Sequence, residues 1–385
     1  MTATSESPPW IWPRSAYIHI PFCAHHCGYC DFAVSAGEDH LIHLYVEALE
    51  TELASLNQPT PVDTIFIGGG TPTYLPTASL RRVLEAIARW LPLREGGEFS
   101  IEATPESVSS DTVAVLSDHG VNRVSLGVQS FRGESLERLE RIHSADQVSP
   151  AMERVRRRIE NVSLDLIFGV PGQSPQDWDS DLAAALRLAP DHLSTYGLTY
   201  EKGTRLWKQR ERGDVRPVLE DDELAMYLHS IERLAQAGFE HYEVSNFAKP
   251  GRRCRHNETY WANEAYFGFG VGAARYLNGF RELNWRNTSD YIRRVLSGEP
   301  PTFQSEKLEG EERARETAAI QLRRSEGVSR ERFRSQTGFD LDQLVLNRVA
   351  AYAREGLIED DGASVRLTTR GRCVADSLVV KLVFG

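Results

Sequence analysis

Six short runs of β-branched and apolar residues, separated by amphipathic stretches, constrain the fold of this chain more than any other feature. The runs are AYIHI (16–20), DTIFIG (63–68), EFSIEA (98–103), NRVSLGV (122–128), VSLDLIF (162–168) and HLSTYGL (192–198). Between them lie LIHLYVEALETELASL, ASLRRVLEAIARWL, SDTVAVLSDHG, VSPAMERVRRR and SDLAAALRLA, and a further helical segment covers 220–238. Strand patterns alternating with helix patterns predict βα units, and strands joined in this way lie parallel, with the helices packed on the sheet. The expected fold class is α/β: a partial (β/α)6 TIM-type barrel with a C-terminal helical or winged-helix-like domain.

Four segments are expected. A Ser- and Pro-containing lead-in, 1–15, is expected to be mobile, and the barrel occupies 16–240. An aromatic and Gly-rich extension without a clean period covers 241–304. A winged-helix-like unit covers 305–385, with SRERFRSQTG and then YAREGLIEDDGASVRLTTRGR. The chain has 385 residues, 41% hydrophobic and 26% charged, an ordinary composition for a soluble protein of this size. It holds no run of eighteen apolar residues and no basic start followed by an apolar stretch, so neither a direct membrane anchor nor a secretory signal is expected. Five cysteines, three of them crowded, suit a reducing, cytoplasmic location better than a disulfide scaffold. A net charge of −11 argues against nucleic acid as a partner, because phosphate contacts need surplus Lys and Arg. The Arg residues of the winged-helix-like tail are interleaved with Glu, which points to a structural or protein-contact role.

In a barrel of this kind the C-terminal strand ends carry the chemistry. The first strand runs into IPFCAHHCGYCDF and the second into GGGTPT. The next four end near Glu102, Gln129, Asp165 and Tyr196. Asp165 sits between apolar residues in LDLIF, so it is expected to point inward and to need a partner, for which Arg141 is a candidate. Cys23, Cys27 and Cys30 have C-x3-C-x2-C spacing. Such a loop can hold zinc, with His25 or His26 as fourth ligand, or an iron–sulfur cluster in which three thiolates leave one iron open. The remaining cysteines, Cys254 and Cys373, read as small buried hydrophobes.

The cysteine spacing after the first strand resembles the radical S-adenosylmethionine (SAM) superfamily. That resemblance implies a [4Fe-4S] cluster on Cys23, Cys27 and Cys30, with SAM bound at the open iron. It also implies an electron donor for cleavage to a 5′-deoxyadenosyl radical. YIHIPFC, GGGTPT, IEATPE, SLGVQSF, LERIHSA, DLIFGVPGQ, STYGLTYE and HNETYW occur in this order. The set is similar to the oxygen-independent coproporphyrinogen oxidases and their haem-chaperone relatives. On that pattern the SAM contacts fall on Tyr17, Tyr29, Gly69, Gly70, Thr71, Glu102, Gln129, Arg141, Asp165 and Gly197.

Two subgroups compete. The oxidases carry a further cysteine two residues beyond the third, where this chain has Phe32, and a longer N-terminal extension than the sixteen residues before Tyr17. Both departures match the haem-chaperone branch, which also carries the H-N-x-x-Y-W pattern, here His256 to Trp261. The resemblance therefore implies haem binding and delivery to acceptor proteins, respiratory ones among them. His256 is the implied haem ligand and Cys254 the alternative. The rival functions are oxidative decarboxylation of coproporphyrinogen III and a zinc-stabilised binding module.

Overall fold

A computed structural model describes residues 7–345 and 348–385. Six parallel strands form its centre: β1 (Ser15–Ile20), β2 (Val62–Gly69), β3 (Leu93–Ala103), β4 (Arg123–Gln129), β5 (Asn161–Phe168) and β6 (His192–Gly197). They coincide with the six runs read from the sequence. Alternation along each strand sorts the side chains. Ile18, Ile65, Ile67, Ile101, Val124, Leu126 and Leu164 are buried in the main hydrophobic core. Many of the intervening positions are polar, among them His19, Ser100, Glu102, Arg123, Ser125, Ser163, Asp165 and Ser194. The wall is thus oily toward its helices and polar within, which suits a site rather than a packed plug.

The covering helices are α1 (Ile42–Ala54), α2 (Thr77–Trp90), α3 (Ser110–Asp118), α4 (Gly133–Arg138), α5 (Val148–Arg156) and α6 (Pro175–Arg187). They are followed by α7 (Arg205–Arg212), α8 (Glu220–Gln236) and α9 (Arg255–Trp261). In α2 the buried residues are Leu80, Val83, Leu84 and Ile87, spaced as one helical stripe. The sequence reading places no helix at α4, α7 or α9. α7 buries only Leu206, so it offers no stripe to detect.

The main sheet runs past residue 240, the boundary expected for the barrel. Short strands β7 (Glu240–His241), β8 (Asn246–Ala248) and β9 (Phe267–Phe269) complete it in the order β9-β1-β2-β3-β4-β5-β6-β8-β7. β9 lies parallel to β1, with Ala16 opposite Phe267, and β8 lies antiparallel to β6. The extension therefore supplies both edges of the sheet, by pairings too short to leave a periodic signal. A strand at Thr302–Lys307, across the boundary expected at 305, belongs to a separate three-stranded sheet, and the helix Gly310–Gln321 follows it.

That unit has its own core around Phe333, Leu344, Val365 and Leu382, with the hairpin Ile358–Asp360 and Ser364–Leu367 as its wing. Its glutamine amides fasten it to the end of α9. Gln321 donates to the Ala262 carbonyl at 3.0 Å, and Gln336 to that of Asn263 at 2.9 Å.

Residues 1–6 of the lead-in expected to be mobile lie outside the described residues. From Ser7 onward the lead-in is held: Arg14 donates to the Ser7 carbonyl at 3.2 Å, and the Ala265 amide to that of Pro9 at 2.9 Å.

Candidate functional site

The cysteine loop leaves the end of β1 and is tied back at its root. Phe22–Cys23 pairs in parallel with Ser35–Ala36. The Gly70 amide donates to the Ile20 carbonyl at 2.8 Å, and the Thr71 amide to that of Phe22 at 2.9 Å. Inside the barrel, His19 Nε2 lies 2.8 Å from the Ala33 carbonyl. A carbonyl only accepts, so Nε2 carries the proton and Nδ1 accepts from the Tyr17 hydroxyl at 3.1 Å. At the loop tip the Leu206 amide of α7 donates to the Gly28 carbonyl at 2.9 Å. Both strand ends and α7 thus fix the segment that carries the three thiols.

The glycines at the end of β2 are required by this root. A Cβ on Gly69, whose φ is +108°, would fall 2.3 Å from the His19 ring, and one on Gly70 2.6 Å from the Pro21 carbonyl oxygen. The space they leave is filled by the neighbouring strand, while the backbone of both residues still borders the site.

At the C-terminal ends of the strands lies a cavity of about 640 Å³. Cys23, Cys27, Cys30 and Tyr29 form one wall; Gly69, Gly70 and Thr71 form the next. Glu102, Gln129, Arg141, Asp165 and Gly197 complete it. Tyr196, at the end of β6, also borders it and is 42% exposed. Of the fourteen residues read from the sequence as cluster ligands, SAM contacts or first haem ligand, twelve therefore share this one cavity. The exceptions are Tyr17 and His256. Tyr17 does not line the cavity; its hydroxyl meets His19 Nδ1.

His256 is in a different place. It lies on α9, below the barrel, and is 1% exposed. Its Nδ1 is 2.9 Å from Thr64 Oγ1 and its Nε2 2.8 Å from the Tyr260 hydroxyl. The imidazole lies against Phe66, and burial pushes its pKa down to about 3. Both of its nitrogens, the expected haem ligand atoms, are engaged by hydroxyls in this structure. Cys254 is fully buried, 3.5 Å from Glu98. Cys373, expected to be buried, is half-exposed.

The electrostatics of the cavity centre on two carboxylates and a guanidinium. Glu102 accepts from the Gly69 amide at 3.0 Å. Burial first, and the charge of Asp165 second, raise its pKa from 4.5 to about 7. Asp165 accepts from Ser125 at 3.0 Å, and its pKa is raised by burial against these hydrogen bonds. Its expected partner, Arg141, is engaged elsewhere. Arg141 donates to the Gly127 carbonyl at 2.9 Å and lies 3.6 Å from Cys27 Sγ. The cation whose field reaches Asp165 is Arg123, buried inside the barrel. The sequence reading missed it, although an arginine inside an apolar strand run was a signal. Cys23 Sγ lies 3.2 Å from Thr71 Oγ1, and burial pushes its pKa up to about 12. Gln129 has φ +65° at a bulge against β5, a left-handed strain that aims its side chain at the cavity.

The donor set fits an iron–sulfur cluster: Cys23, Cys27 and Cys30 all border the same cavity. A cluster asks each thiolate to hold a different iron, and three thiols spaced along one wall of a cavity meet that demand.

Residues 17–185 match the model of the radical SAM superfamily, and residues 308–374 that of the HemN C-terminal domain. The heme chaperone HemW of Bacillus subtilis is 38% identical over 371 residues, covering 95% of this chain and 98% of that protein. The chain belongs to the HemW family. The Escherichia coli member, also described as heme chaperone HemW, is 39% identical over 68% of this chain and 69% of its own. The fold of the HemW family is shared with the Escherichia coli coproporphyrinogen III oxidase HemN, a radical SAM enzyme. Its structure superposes with a TM-score of 0.84 at 23% identity, over 96% of this chain and 89% of that one.

Proposed function

We propose that this protein is a haem chaperone that carries a [4Fe-4S] cluster on Cys23, Cys27 and Cys30, binds SAM in the adjoining cavity, and delivers haem to acceptor proteins. The observation that carries the reading is the convergence of three thiols, two half-buried carboxylates and a guanidinium on one cavity of about 640 Å³. HemW relatives that align over nearly their whole length support the chaperone role.

A cluster held by three thiolates supplies an open iron and a low-potential electron. The chain's residues do the rest. Thr71 and Arg141, beside Cys23 and Cys27, stabilise negative charge on sulfur and so tune the potential. Glu102 and Asp165 face a ligand with negative charge on demand: a cationic ammonium or sulfonium beside Glu102 favours its ionised form. Tyr17 and His19 hold the loop rather than the ligand. An external electron donor and a haem acceptor complete the scheme. Within the described residues no helix is long and apolar enough to cross a membrane.

The test is anaerobic reconstitution with iron and sulfide, followed by haem titration with and without SAM. The reading expects a brown protein that binds haem stoichiometrically and forms no protoporphyrinogen from coproporphyrinogen. Replacing Cys23, Cys27 and Cys30 together with Ala should abolish bound iron and sulfide. Zinc in place of iron and sulfide, or decarboxylated product with SAM consumed, would refute it.

A further inference from the structure

Among the described residues that border the SAM cavity, Gln129 is the only one other than glycine with a left-handed backbone. Its φ is +65° at the end of β4, where two residues of β4 stand against one of β5. A residue with a Cβ resists this conformation, which persists only where the surroundings dictate it. The Gln129 amide lies over Gly127: a Cβ on that glycine would fall 3.1 Å from Gln129 Nε2. Whatever grips the backbone on either side of Gln129 therefore decides where its amide points.

Two sets of side chains do so. On the upstream side, the loop after α4 holds two consecutive carbonyls. Arg141 donates to that of Gly127 at 2.9 Å, and His143 Nε2 lies 3.0 Å from that of Val128. A carbonyl only accepts, so this imidazole nitrogen carries the proton. The Ser130 amide donates to the same Val128 carbonyl at 2.8 Å and closes a tight turn around Gln129. On the downstream side stands Asp181 of α6, which is fully buried and in no ion pair among the described residues. It accepts from the Ser130 hydroxyl at 2.8 Å, the Phe131 amide at 2.7 Å and the Gln173 amide at 3.3 Å. Burying a carboxyl is costly unless donors meet its oxygens. Here two of its three donors belong to the two residues that follow Gln129. His143 is buried as well, and neither it nor Asp181 borders the cavity.

We propose that His143 and Asp181 are positioning residues for SAM: from opposite sides they hold the turn at the end of β4, so that Gln129 stays left-handed and presents its amide to the ligand. The proposal rests on the reading of this cavity as a SAM site. It gives a role to the histidine of the LERIHSA segment, of which Arg141 alone reaches the cavity.

The test combines substitutions at these positions with replacement of Gln129 itself. SAM affinity is read by anaerobic equilibrium dialysis on cluster-loaded, full-length protein. His143→Leu should weaken binding about threefold to tenfold, and His143→Gln, whose amide nitrogen replaces Nε2, should come within about twofold of wild type. Asp181→Asn keeps an oxygen for the Phe131 amide and should weaken binding about threefold. In a Gln129→Ala background neither His143→Leu nor Asp181→Asn should weaken binding further, because residues that act through Gln129 lose their effect once its amide is gone. Equal losses in both backgrounds, or wild-type affinity in both single variants, would overturn the proposal. A second readout needs neither cluster nor SAM. In cluster-free protein, His143→Leu should lower the urea midpoint less in a Gln129→Gly background than in a Gln129→Ala background, since glycine stays left-handed without a grip; equal shifts overturn the proposal. Should His143→Leu fail to fold, Asp181→Asn is compared in the same backgrounds. Wild-type, cluster-loaded protein that binds no SAM overturns the SAM reading itself, and the urea comparison still decides whether the two residues hold the turn.

Discussion

Glu102→Gln is a substitution at the cavity wall that should stabilise the ligand-free protein, and only at high pH. The carboxyl accepts from the Gly69 amide, and burial together with Asp165 raises its pKa from 4.5 to about 7. Below 4.5 the group is protonated in both the folded and the unfolded chain and contributes no difference. Between 4.5 and 7 the folded chain holds a proton that the unfolded one has released, so the free energy of unfolding falls as pH rises through this window. Above 7 the loss is complete, and a displacement from 4.5 to about 7 corresponds to about 3 kcal/mol. Glutamine keeps an oxygen for Gly69 and never ionises. Urea unfolding should therefore give nearly equal stabilities for the variant and the wild type at pH 5, and a variant more stable by about 1–3 kcal/mol at pH 8.5. A difference independent of pH, or a variant less stable at pH 8.5 than at pH 5 relative to wild type, would refute the raised pKa of this carboxyl. The same variant should bind SAM more weakly, because the acceptor that ionises beside a cationic ligand is gone.

The other predictions concern the loop root and the helix beneath the barrel. His256→Ala removes two buried hydrogen bonds and the ring packed on Phe66; it should cost about 3–5 kcal/mol in chemical denaturation while leaving the haem affinity of the folded protein unchanged. Gly69→Ala places a methyl group against the His19 ring in a left-handed backbone conformation. A loss of about 2–4 kcal/mol is expected, with a lower iron content after reconstitution, measured by metal analysis.

Much of the site was legible because its residues sit at strand ends, where a pattern of period two announces the strand and whatever follows it lies at the barrel mouth. Cys23, Thr71, Glu102 and Asp165 were located in this way, each from its own segment. Arg141 was located too, but its partner was not, because pairing depends on how a loop folds over the mouth. It meets a carbonyl and a thiol, while a residue of the adjacent strand, Arg123, supplies the field at Asp165. The H-N-x-x-Y-W motif was the opposite case. Its residues read as ligands, yet they lie on a short helix held between the strand starts and the C-terminal unit, where His256 is a hydrogen-bonding strut.

Periodicity and spacing by themselves determined the α/β class, the six parallel strands and the three-thiol loop, because these are properties of local segments and their order. The tertiary structure alone decided which groups are buried together, which lone pairs remain free, and which glycines are forced by a neighbour. Those depend on distances between residues far apart in the chain, and no local pattern encodes them. His26 and His256 show the difference. Both are histidines in conspicuous motifs, and only the positions of a carbonyl, a threonine and a tyrosine around them leave one with an open nitrogen and the other with none.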